Sequence, residues 1–408
     1  MKPRQLKKLE RELKDFVEKL TAGLGRSERR EALQLYVTGL LLDGERKSIQ
    51  PMAARLVDDD DEVEAMRQRL QQAVVVADWS DDVVRSRLAM MIDAEMPDIS
   101  AFVFDDTGFP KKGDHSVAVT RQYSGTLGRT DNCQVATSLH LAGEKGSACI
   151  GMQLYLPEDW ASDAKRLRLA KVPETISFKR KWEIALDLLD RALRWGVRRH
   201  IALADSGYGD CVGFRDGLRE RGLHYLVGVA GAHSIWTPDA KPRRVKGVSG
   251  LLLKRFVDPK HEPMPISEFA AGLPTSSFRR ISARPSSRLA FVRVRPAEKH
   301  AHGRPPDDEH WLISEWIDGE PKPTKFMLCS LPATTTRKEL IRLLKLRWRV
   351  ERDYQELKGE IGLDHFEGRT WPGFHHHVTL CAVAHAFLAL RRALFPPDLH
   401  QVDFALSP

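Results

Sequence analysis

The sequence predicts an α/β protein with a helical N-terminal domain and a β-rich insertion, and three observations carry that prediction. Apolar residues recur at three- and four-residue steps through residues 1–97, as at Leu6, Leu9 and Leu13, which is typical of amphipathic helices. From residue 98 short apolar or alternating runs, typical of strands, are interleaved with helical segments. Between residues 233 and 325, Pro- and Arg-rich stretches separate further alternating runs, which indicates an inserted β-rich subdomain.

The predicted elements of the central region follow one another in a fixed order. Four extended runs come first, and then helix, strand, helix and strand alternate: Ala101–Asp105, His115–Arg121, Gln134–Leu141, Cys149–Leu156, helix Lys179–Trp195, strand His200–Asp205, helix Phe214–Arg221, strand His224–Val229. The insertion adds two strands, Arg288–Arg295 and Trp311–Ile317. A last strand, Lys325–Leu331, precedes one long helix that begins at Thr336.

Composition restricts the class of protein. The 408 residues include 64 Lys and Arg against 56 Asp and Glu, a net charge of +8, and 42% of them are hydrophobic, which excludes wholesale disorder. The longest apolar run, Val378–Leu390, is shorter than the roughly 20 residues that span a bilayer. Five scattered cysteines without a CxxC pair, and a charged N-terminus, indicate reduced thiols and a cytoplasmic location. The positive charge is compatible with a nucleic-acid partner but does not establish one.

Two predicted buried strands end in aspartate. Asp105, with Asp106 beside it, ends one of them, and Asp205 ends the other. In open α/β sheets, ligand sites lie beyond the carboxyl ends of the strands, so these acids meet if the two strands are neighbours. A single aspartate at such a place is more often a turn or cap residue, whereas two of them favour a functional site.

The predicted long helix contributes a third acid. Its apolar stripe comprises Leu343, Leu346, Val350, Tyr354, Leu357 and Ile361. Arg347, Glu351 and Lys358 form a narrow polar stripe at the border of that apolar face, where a helix can face a cleft. Arg347 and Glu351 alone would be an ordinary surface pair four residues apart.

Three carboxylates with basic neighbours are the residue types that two-metal phosphoryl transfer requires. Two Mg²⁺ ions activate the attacking oxygen and stabilise the leaving one, and Mg²⁺ prefers oxygen ligands. Without metal, three clustered acids would repel one another and raise one another's pKa values. Lys111 and Lys112, together with Arg347 and Lys358, are then expected to neutralise phosphates.

At these residues the sequence resembles DDE insertion-sequence transposases of the insertion sequence 701 group, related to the insertion sequence 4 group. FVFDDTGFPKKG with SVAVTRQYSGTLGRTDNCQ is similar to the first-aspartate block, IALADSGYG to the second, and LRWRVERDYQELKGEIGLDHFEGR to the third. The third block's signature spaces Tyr, Arg, Glu and Lys. Arg347, Glu351 and Lys358 match it, whereas Leu344 stands where the family has tyrosine.

The resemblance implies a ribonuclease-H-like mixed sheet flanked by helices and an enzyme that catalyses DNA transposition. It implies a catalytic and metal-binding triad of Asp105, Asp205 and Glu351 with two Mg²⁺ (or Mn²⁺) ions. Asp105 is preferred to Asp106, which stays the alternative, because the family pattern places Thr or Ser two residues after the ligand. The enzyme is expected to cleave element ends with water, to join the 3′-OH to target DNA, and to act as a homodimer on paired terminal inverted repeats in a bacterial cytoplasm, associated with the nucleoid when bound to DNA.

The resemblance and the predicted elements together divide the chain into five segments. These are residues 1–97, an N-terminal helical domain expected to bind DNA; 98–232, the first part of the catalytic core; 233–325, the β-rich insertion; 326–393, the second part of the core with the Glu351 helix; and 394–408, a C-terminal tail.

Further residues are candidates for DNA contact. Arg121, Gln122 and Tyr123 are rich in donors for phosphates and base edges, although ordinary strand chemistry explains them equally well. The insertion supplies arginines that are expected to follow the DNA backbone: Arg243, Arg244, Arg279, Arg280 and Arg284. Trp236, Trp311 and Trp316 are candidates to stack on an extruded base, with a core role more frequent for such residues.

Two other classes of protein compete with this interpretation. Asp106-Thr107-Gly108 and Asp205-Ser206-Gly207 both have the D-[ST]-G form of aspartic proteases, in which two aspartates share a proton. The long helices and the absence of a duplicated all-β pattern disfavour a protease-like hydrolase. The second competitor is a catalytically inactive DNA-binding relative, which the intact acid triad disfavours. His375–His377 resembles a metal site, but consecutive helical residues point 100° apart and cannot all converge on one ion.

Overall fold

The computed structural model describes residues 3–125, 128–246, 251–281, 286–298 and 307–395. The predicted tail from residue 396 onward, and Arg284 of the insertion, lie outside the described residues. The chain divides into two compact units: a first unit of residues 1–199 and 348–408, and a second unit of residues 200–347.

Helices and strands are numbered in chain order. The α-helices are α1 (Pro3–Thr21), α2 (Ser27–Leu41), α3 (Ile49–Leu56), α4 (Val63–Gln71), α5 (Asp81–Glu95), α6 (Glu158–Ala161), α7 (Ala164–Leu169), α8 (Lys181–Trp195), α9 (Ser206–Gly209), α10 (Val212–Glu220), α11 (Ile266–Ala271), α12 (Arg337–Arg347), α13 (Arg349–Gly359) and α14 (Trp371–Leu394). The strands are β1 (Ile99–Pro110), β2 (Thr120–Ser124), β3 (Arg129–Gly143), β4 (Ser147–Leu154), β5 (Ile201–Ala204), β6 (Tyr225–Val229), β7 (Ser234–Trp236), β8 (Arg243–Lys246), β9 (Leu252–Val257), β10 (Met264–Pro265), β11 (Arg279–Ile281), β12 (Ser287–Pro296), β13 (His310–Ile317) and β14 (Lys325–Cys329).

The first unit packs helices on an antiparallel sheet. Strand β3 pairs with β1 and β4 on its two edges, and its first residues pair with β2. Strand β4 is buried throughout and β3 is buried from Cys133 onward, where it carries polar residues such as Ser138 and His140 among apolar ones. Helices α5, α8 and α13 contact this sheet. The N-terminal segment is helical, with α1 and α2 where the three- and four-residue periodicity predicts helices.

Helix α14 is the central core helix of the first unit. It contacts α2, α5 and β4, and almost all of its side chains are buried. Among the described residues it is the one helix long and apolar enough to span a membrane, but 78% of its apolar window is buried inside the protein. A core helix of this kind needs apolar residues all round because it is surrounded by protein.

The second unit contains a mixed sheet. Strands β5 and β6 are parallel, and the order then continues through β14, β13 and β12 in antiparallel pairing. Strand β12 also pairs with β7 and β11, and β7 pairs with β10. Strands β8 and β9 form a separate two-stranded ribbon. Helices accompany the sheets in both units, so the predicted α/β class is confirmed, and the architecture is consistent with a ribonuclease-H-like core.

The strands predicted for the insertion belong to this same sheet. Strand β13 pairs with β14, and β14 pairs with β6. Strand β6 lies outside residues 233–325, and so does β14 except for its first residue, Lys325. The predicted insertion therefore shares its sheet with strands that the sequence assigned to the core. The division of the chain at residues 97, 232, 325 and 393 stays a prediction.

Three sequence predictions of secondary structure are wrong. The strand predicted to end at Asp105 continues to Pro110, so Asp105 lies inside β1 and not at its carboxyl end. The predicted single helix from Thr336 is two helices, α12 and α13, which are separated at Trp348. The ψ angle of Trp348 is −11°, whereas a regular α-helix has a ψ angle near −42°. A continuous helical wheel therefore does not relate Arg347 to Glu351. The predicted strand His115–Arg121 is a turn through residue 119, with Ala118 at a φ of 60°, and only its end belongs to β2.

Candidate active site

Asp105 lies on the face of strand β1 that carries helix α13. It is directly opposite Ser138 of β3 in the antiparallel pairing, so the two side chains project from the same face of the sheet. The Ser138 hydroxyl is 2.6 Å from the Tyr354 hydroxyl of α13, and α13 contacts β1. Glu351, in the first turn of α13, belongs to the helix that covers this face.

Asp106 lies on the opposite face of the same strand. Its partner in β3 is Thr137, and its carboxylate forms an ion pair with Lys181 at the start of α8. Helix α8 contacts β3 from that side. The alternation of a β-strand thus directs Asp105 towards α13 and Asp106 towards α8. This arrangement supports the preference for Asp105 over Asp106.

Lys358 joins the two elements that carry Asp105 and Glu351. Its ammonium group donates a 2.8 Å hydrogen bond to the Gly108 carbonyl oxygen of β1 and lies 5.4 Å from the centre of the Phe109 ring. Burial lowers the pKa of Lys358, an effect that Asp364 partly opposes. The sequence predicts a phosphate contact for Lys358, and this stays a prediction. In the structure its ammonium group contacts β1.

A buried polar network links the sheet to helix α13 two residues after Glu351. The Asp353 carboxylate accepts hydrogen bonds from His140 Nδ1 at 2.8 Å and from the Ser147 hydroxyl at 2.6 Å. His140 Nε2 lies 3.1 Å from the Ser138 hydroxyl, which is also 3.4 Å from the Asp105 carbonyl oxygen. Asp353 and His140 are 4% and 0% exposed, so the network is shielded from water.

The pKa values of this pair shift in the directions of an ion pair. Burial alone would lower the pKa of His140, but Cys149 and the hydrogen-bonded Asp353 outweigh it and raise the pKa. Burial alone would raise the pKa of Asp353, but the hydrogen bond and charge of His140, with His385 and Ser147, lower it. The geometry agrees, since each of the two ring nitrogens of His140 has an oxygen partner.

Asp205 lies in a turn of the second unit. It is the residue that caps α9, and its carboxylate accepts a 2.9 Å hydrogen bond from the Gly207 backbone N–H. The turn packs against β6 backbone to backbone. A Cβ at Gly209 would lie 1.9 Å from the Gly228 carbonyl oxygen, and a Cβ at Gly228 would lie 2.8 Å from the Ser206 nitrogen. Glycine at both positions therefore permits this close approach.

A second buried network supports the segment that follows Asp205. Arg215, 1% exposed, donates to the Gly209 carbonyl oxygen and to Glu298. His233 bridges Glu298 and Asp210, with 2.8 Å to each. Burial opposes the charge on Glu298, but His233 and Arg215 outweigh it and lower the pKa of that carboxyl. The hydrogen bond that His233 donates to Glu298 is the main cause that raises the pKa of His233.

The acids of the first unit have donor chemistry that suits a hard divalent cation. Asp105 is half-buried and Glu351 is exposed, and both offer carboxylate oxygens. Within the described ranges, no group of three His, Cys, Asp or Glu side chains is arranged to hold a metal ion. Asp205 lies in the second unit, and its convergence with Asp105 and Glu351 stays a prediction.

Predicted DNA contacts of the first unit fall into two groups. Lys111 and Gln122 bond inward: the Lys111 ammonium group donates to the Phe366 carbonyl oxygen at 2.8 Å, and the Gln122 amide donates to the Cys133 carbonyl oxygen at 3.0 Å. Burial lowers the pKa of Lys111, which nearby acids partly oppose. Lys112, Arg121 and Tyr123 are exposed, and the last two share one face of β2. These three stay candidates for DNA contact.

The predicted contacts of the second unit are mostly exposed. Arg243 and Arg244 lie on the β8–β9 ribbon, and Arg279 and Arg280 lie on β11. Arg280 forms an ion pair with Asp318, and Arg347 is half-buried in the last turn of α12.

The three insertion tryptophans differ in what they can offer a base. Trp236 is 1% exposed and therefore has no free face for stacking. Trp311 and Trp316 donate to the backbone carbonyl oxygens of Pro332 and Glu320. Arginines lie over both rings, at 5.0 Å over Trp311 and 4.7 Å over Trp316.

The other motifs have structural environments of their own. His375, His376 and His377 are buried and bond to different partners, the last to the Tyr36 hydroxyl and the Leu363 carbonyl oxygen. The two D-[ST]-G segments are not equivalent, since Asp106-Thr107-Gly108 lies inside β1 whereas Asp205-Ser206-Gly207 begins α9. This asymmetry is unlike the paired loops of an aspartic protease.

Sequence reasoning missed the polar residues that support the candidate site. His140 and Ser138 lie in a run that reads as a buried strand, and a polar pair two residues apart within it was the available signal. Asp353 follows Glu351 by two residues and reads as an ordinary charged helix position. The exposed Trp348, 47% accessible at the break before α13, was also overlooked.

Comparison with known proteins decides the family. Residues 19–290 match the family described as DDE superfamily endonuclease, which is more than half of the chain. The chain belongs to the DDE superfamily of endonucleases. The resemblance drawn from the three acid-bearing blocks is thereby confirmed at the level of the superfamily. This endonuclease is also 25% identical over 344 residues to a protein of Microchaete diplosiphon named a probable transposase for insertion sequence element IS701, covering 84% of this chain and 78% of that protein.

Proposed function

We propose that this DDE-superfamily endonuclease is the DNA transposase of an insertion sequence. The observation that carries the proposal is the shared face of the sheet on which Asp105 and the Glu351-bearing helix α13 lie, joined by the Ser138–Tyr354 contact. The relative from Microchaete diplosiphon, aligned along most of this chain, supports the same function.

In this proposal Asp105, Asp205 and Glu351 hold two Mg²⁺ or Mn²⁺ ions. When bound, such ions activate an attacking oxygen and stabilise the leaving one in an in-line displacement. The three carboxylates supply hard oxygen ligands, and the positive ions relieve their mutual repulsion. The enzyme hydrolyses a phosphodiester at each element end with water and then joins the freed 3′-OH to target DNA, two displacements at one site.

DNA is the proposed partner, and several cationic surfaces support that assignment. Helix α1 presents four cations to an open groove of about 740 Å³: Arg4, Lys7, Arg11 and Lys14. Arg121 and Tyr123 offer a cation and an aromatic ring on β2, and the arginines of β8 and β11 add charge in the second unit. Phosphate contacts of this kind need only positive charge, and their binding weakens with salt. A homodimer on paired inverted repeats, in a bacterial cytoplasm, completes the proposal.

The test is cleavage of a duplex that carries the terminal repeat found in the DNA flanking the gene. Glu351→Gln preserves the shape of the side chain but removes the charge, so we expect cleavage in Mg²⁺ to fall by at least about a thousandfold, with duplex binding retained. Glu360→Gln, an exposed change at the end of the same helix, is the matched control and is expected to cleave normally. Asp205→Ala is expected to behave like Glu351→Gln.

Each contrary outcome has a definite meaning. Cleavage that survives both Glu351→Gln and Asp205→Ala contradicts the catalytic triad. A wild-type protein that binds the terminal repeat but never cleaves it supports the inactive relative. Peptide hydrolysis that needs no divalent metal and is blocked by pepstatin supports the aspartic-protease-like alternative.

A further inference from the structure

The buried Asp353–His140 pair has no role in the proposed chemistry. Removing two charges from water is costly, so a buried ion pair contributes little net stability compared with apolar residues of the same size. Its presence at 4% and 0% exposure, with Asp353 on the helix that carries Glu351, therefore needs an explanation other than stability.

Asp353 fixes helix α13 to the sheet through both oxygens of its carboxylate. One carboxylate oxygen of Asp353 accepts from His140 of β3, and the other accepts from Ser147 of β4. Two bonds to different strands restrict both rotation and sliding of the helix. Glu351 is two residues away on the same helix, so any rotation that displaces Asp353 displaces Glu351 by the same angle.

The same network reaches the strand that carries Asp105. His140 Nε2 lies 3.1 Å from the Ser138 hydroxyl, and Ser138 is the cross-strand partner of Asp105. The Tyr354 hydroxyl bonds to this serine at 2.6 Å, and the Tyr354 ring packs edge-on against His140. The elements that carry Asp105 and Glu351 are therefore connected through one continuous set of buried hydrogen bonds.

We propose that Asp353 and His140 are positioning residues that set the distance between the Glu351 and Asp105 carboxylates, and so the affinity of the site for a divalent ion. This inference rests on the proposed function, because it takes Asp105 and Glu351 as the ligands. Groups that orient metal ligands through hydrogen bonds typically change metal affinity by about 10- to 100-fold when they are replaced.

The experiment measures Mn²⁺ binding to the purified full-length protein by electron paramagnetic resonance, without DNA. Asp353→Asn keeps the size of the side chain but removes the charge that holds His140, and is expected to weaken Mn²⁺ binding by about tenfold or more. Asp93→Asn is the matched control. Asp93 is 5% exposed and pairs with Arg198 in the same unit, so its loss is expected to lower the thermal midpoint comparably without changing Mn²⁺ affinity.

Two further variants keep the test decisive. Ser147→Ala removes only one of the two bonds to Asp353, and is expected to fold and to weaken Mn²⁺ binding about threefold, so it decides the matter if Asp353→Asn does not fold. His140→Gln combined with Asp353→Asn is expected to bind Mn²⁺ no more weakly than Asp353→Asn alone, because both changes break the same contact. Mn²⁺ affinity that is unchanged in Asp353→Asn and Ser147→Ala, or reduced equally in Asp93→Asn, would overturn the proposal.

Glu351→Gln separates this inference from the proposed function. If Glu351→Gln loses Mn²⁺ binding while Asp353→Asn behaves like Asp93→Asn, the metal site stands and the positioning role is wrong. If Glu351→Gln binds Mn²⁺ like wild type, the ligand assignment itself is wrong, and the positioning role fails with it.

Discussion

Asp105 lies inside a continuous strand of the first unit, whereas Asp205 lies in the turn between β5 and the short helix α9 in the second. The Asp105 carboxylate accepts a 2.8 Å hydrogen bond from the Asp106 backbone N–H, and the contacts that join the neighbouring strand and helix are made by side chains, principally Ser138 and Tyr354. Around Asp205 they are made by backbone, because Gly209 and Gly228 bring the turn against β6 with no room for a side chain.

The two arrangements tolerate change differently. A side-chain network can be weakened one hydrogen bond at a time, each worth about 0.5–1.5 kcal/mol. A backbone-to-backbone contact has no such intermediate steps, because adding a single methyl group separates the two segments. We therefore expect graded effects from substitutions in the Ser138–Tyr354 network and all-or-none effects where a side chain is added between the Asp205 turn and β6.

The largest expected effect on stability comes from Gly209→Ala. Its Cβ would lie 1.9 Å from the Gly228 carbonyl oxygen, so β6 and α9 must separate, at a cost of about 3 kcal/mol. Urea unfolding of the full chain measures the loss, and hydrogen exchange locates it at β6 and α9.

Gly207→Ala is the matched control for this change. Its Cβ would meet the Asp205 carboxylate at 3.1 Å, the end of a side chain that can shift. We expect a loss below about 1 kcal/mol. Equal losses for the two alanine variants would contradict the close backbone approach of the turn to β6 at Gly209.

Removing positive charge from helix α1 of the first unit is expected to have a smaller effect, which is on the salt dependence of DNA binding. Lys7→Ala with Lys14→Ala removes two of the cations that line the α1 groove. If both contact phosphates, the slope of log affinity against log salt falls by about 2, uniformly across DNA sequences. Lys8→Ala with Lys19→Ala removes the same charge from α1 outside the groove and is expected to leave that slope unchanged. A reduced slope in both double variants would mean that net charge, rather than the groove, determines binding.

Much of the fold could be predicted because it rests on local patterns. The strand order, helices α8 and α10, and the two aspartates at the ends of apolar runs follow from periodicity in the sequence. The interruption at Trp348 could not be predicted, since the helical periodicity of the apolar residues continues through it. The turn before β2 also escaped, because residues 115–119 alternate like a strand.

The sequence predicts the acids of the candidate site, but it does not predict the buried polar residues that support them. Asp105, Asp205 and Glu351 belong to recognisable blocks, whereas the partnership of His140 with Asp353 joins residues 213 positions apart. Nothing local in the sequence relates two such positions. The prediction that Lys111 and Gln122 contact DNA rests on residue type and on their place in the sequence, whereas both donate hydrogen bonds to backbone carbonyl oxygens of the protein.

Asp105→Asn and Asp106→Asn together test whether the acid on the α13 face of β1 is the catalytic one. The two aspartates are adjacent in β1, but Asp105 lies on the α13 face whereas Asp106 pairs with Lys181 on the other. The measurement is Mg²⁺-dependent cleavage of the terminal-repeat duplex by each purified variant. We expect Asp105→Asn to lose at least about a thousandfold in rate and Asp106→Asn to stay within about tenfold of wild type. Loss of cleavage in Asp106→Asn with activity retained in Asp105→Asn would contradict this expectation.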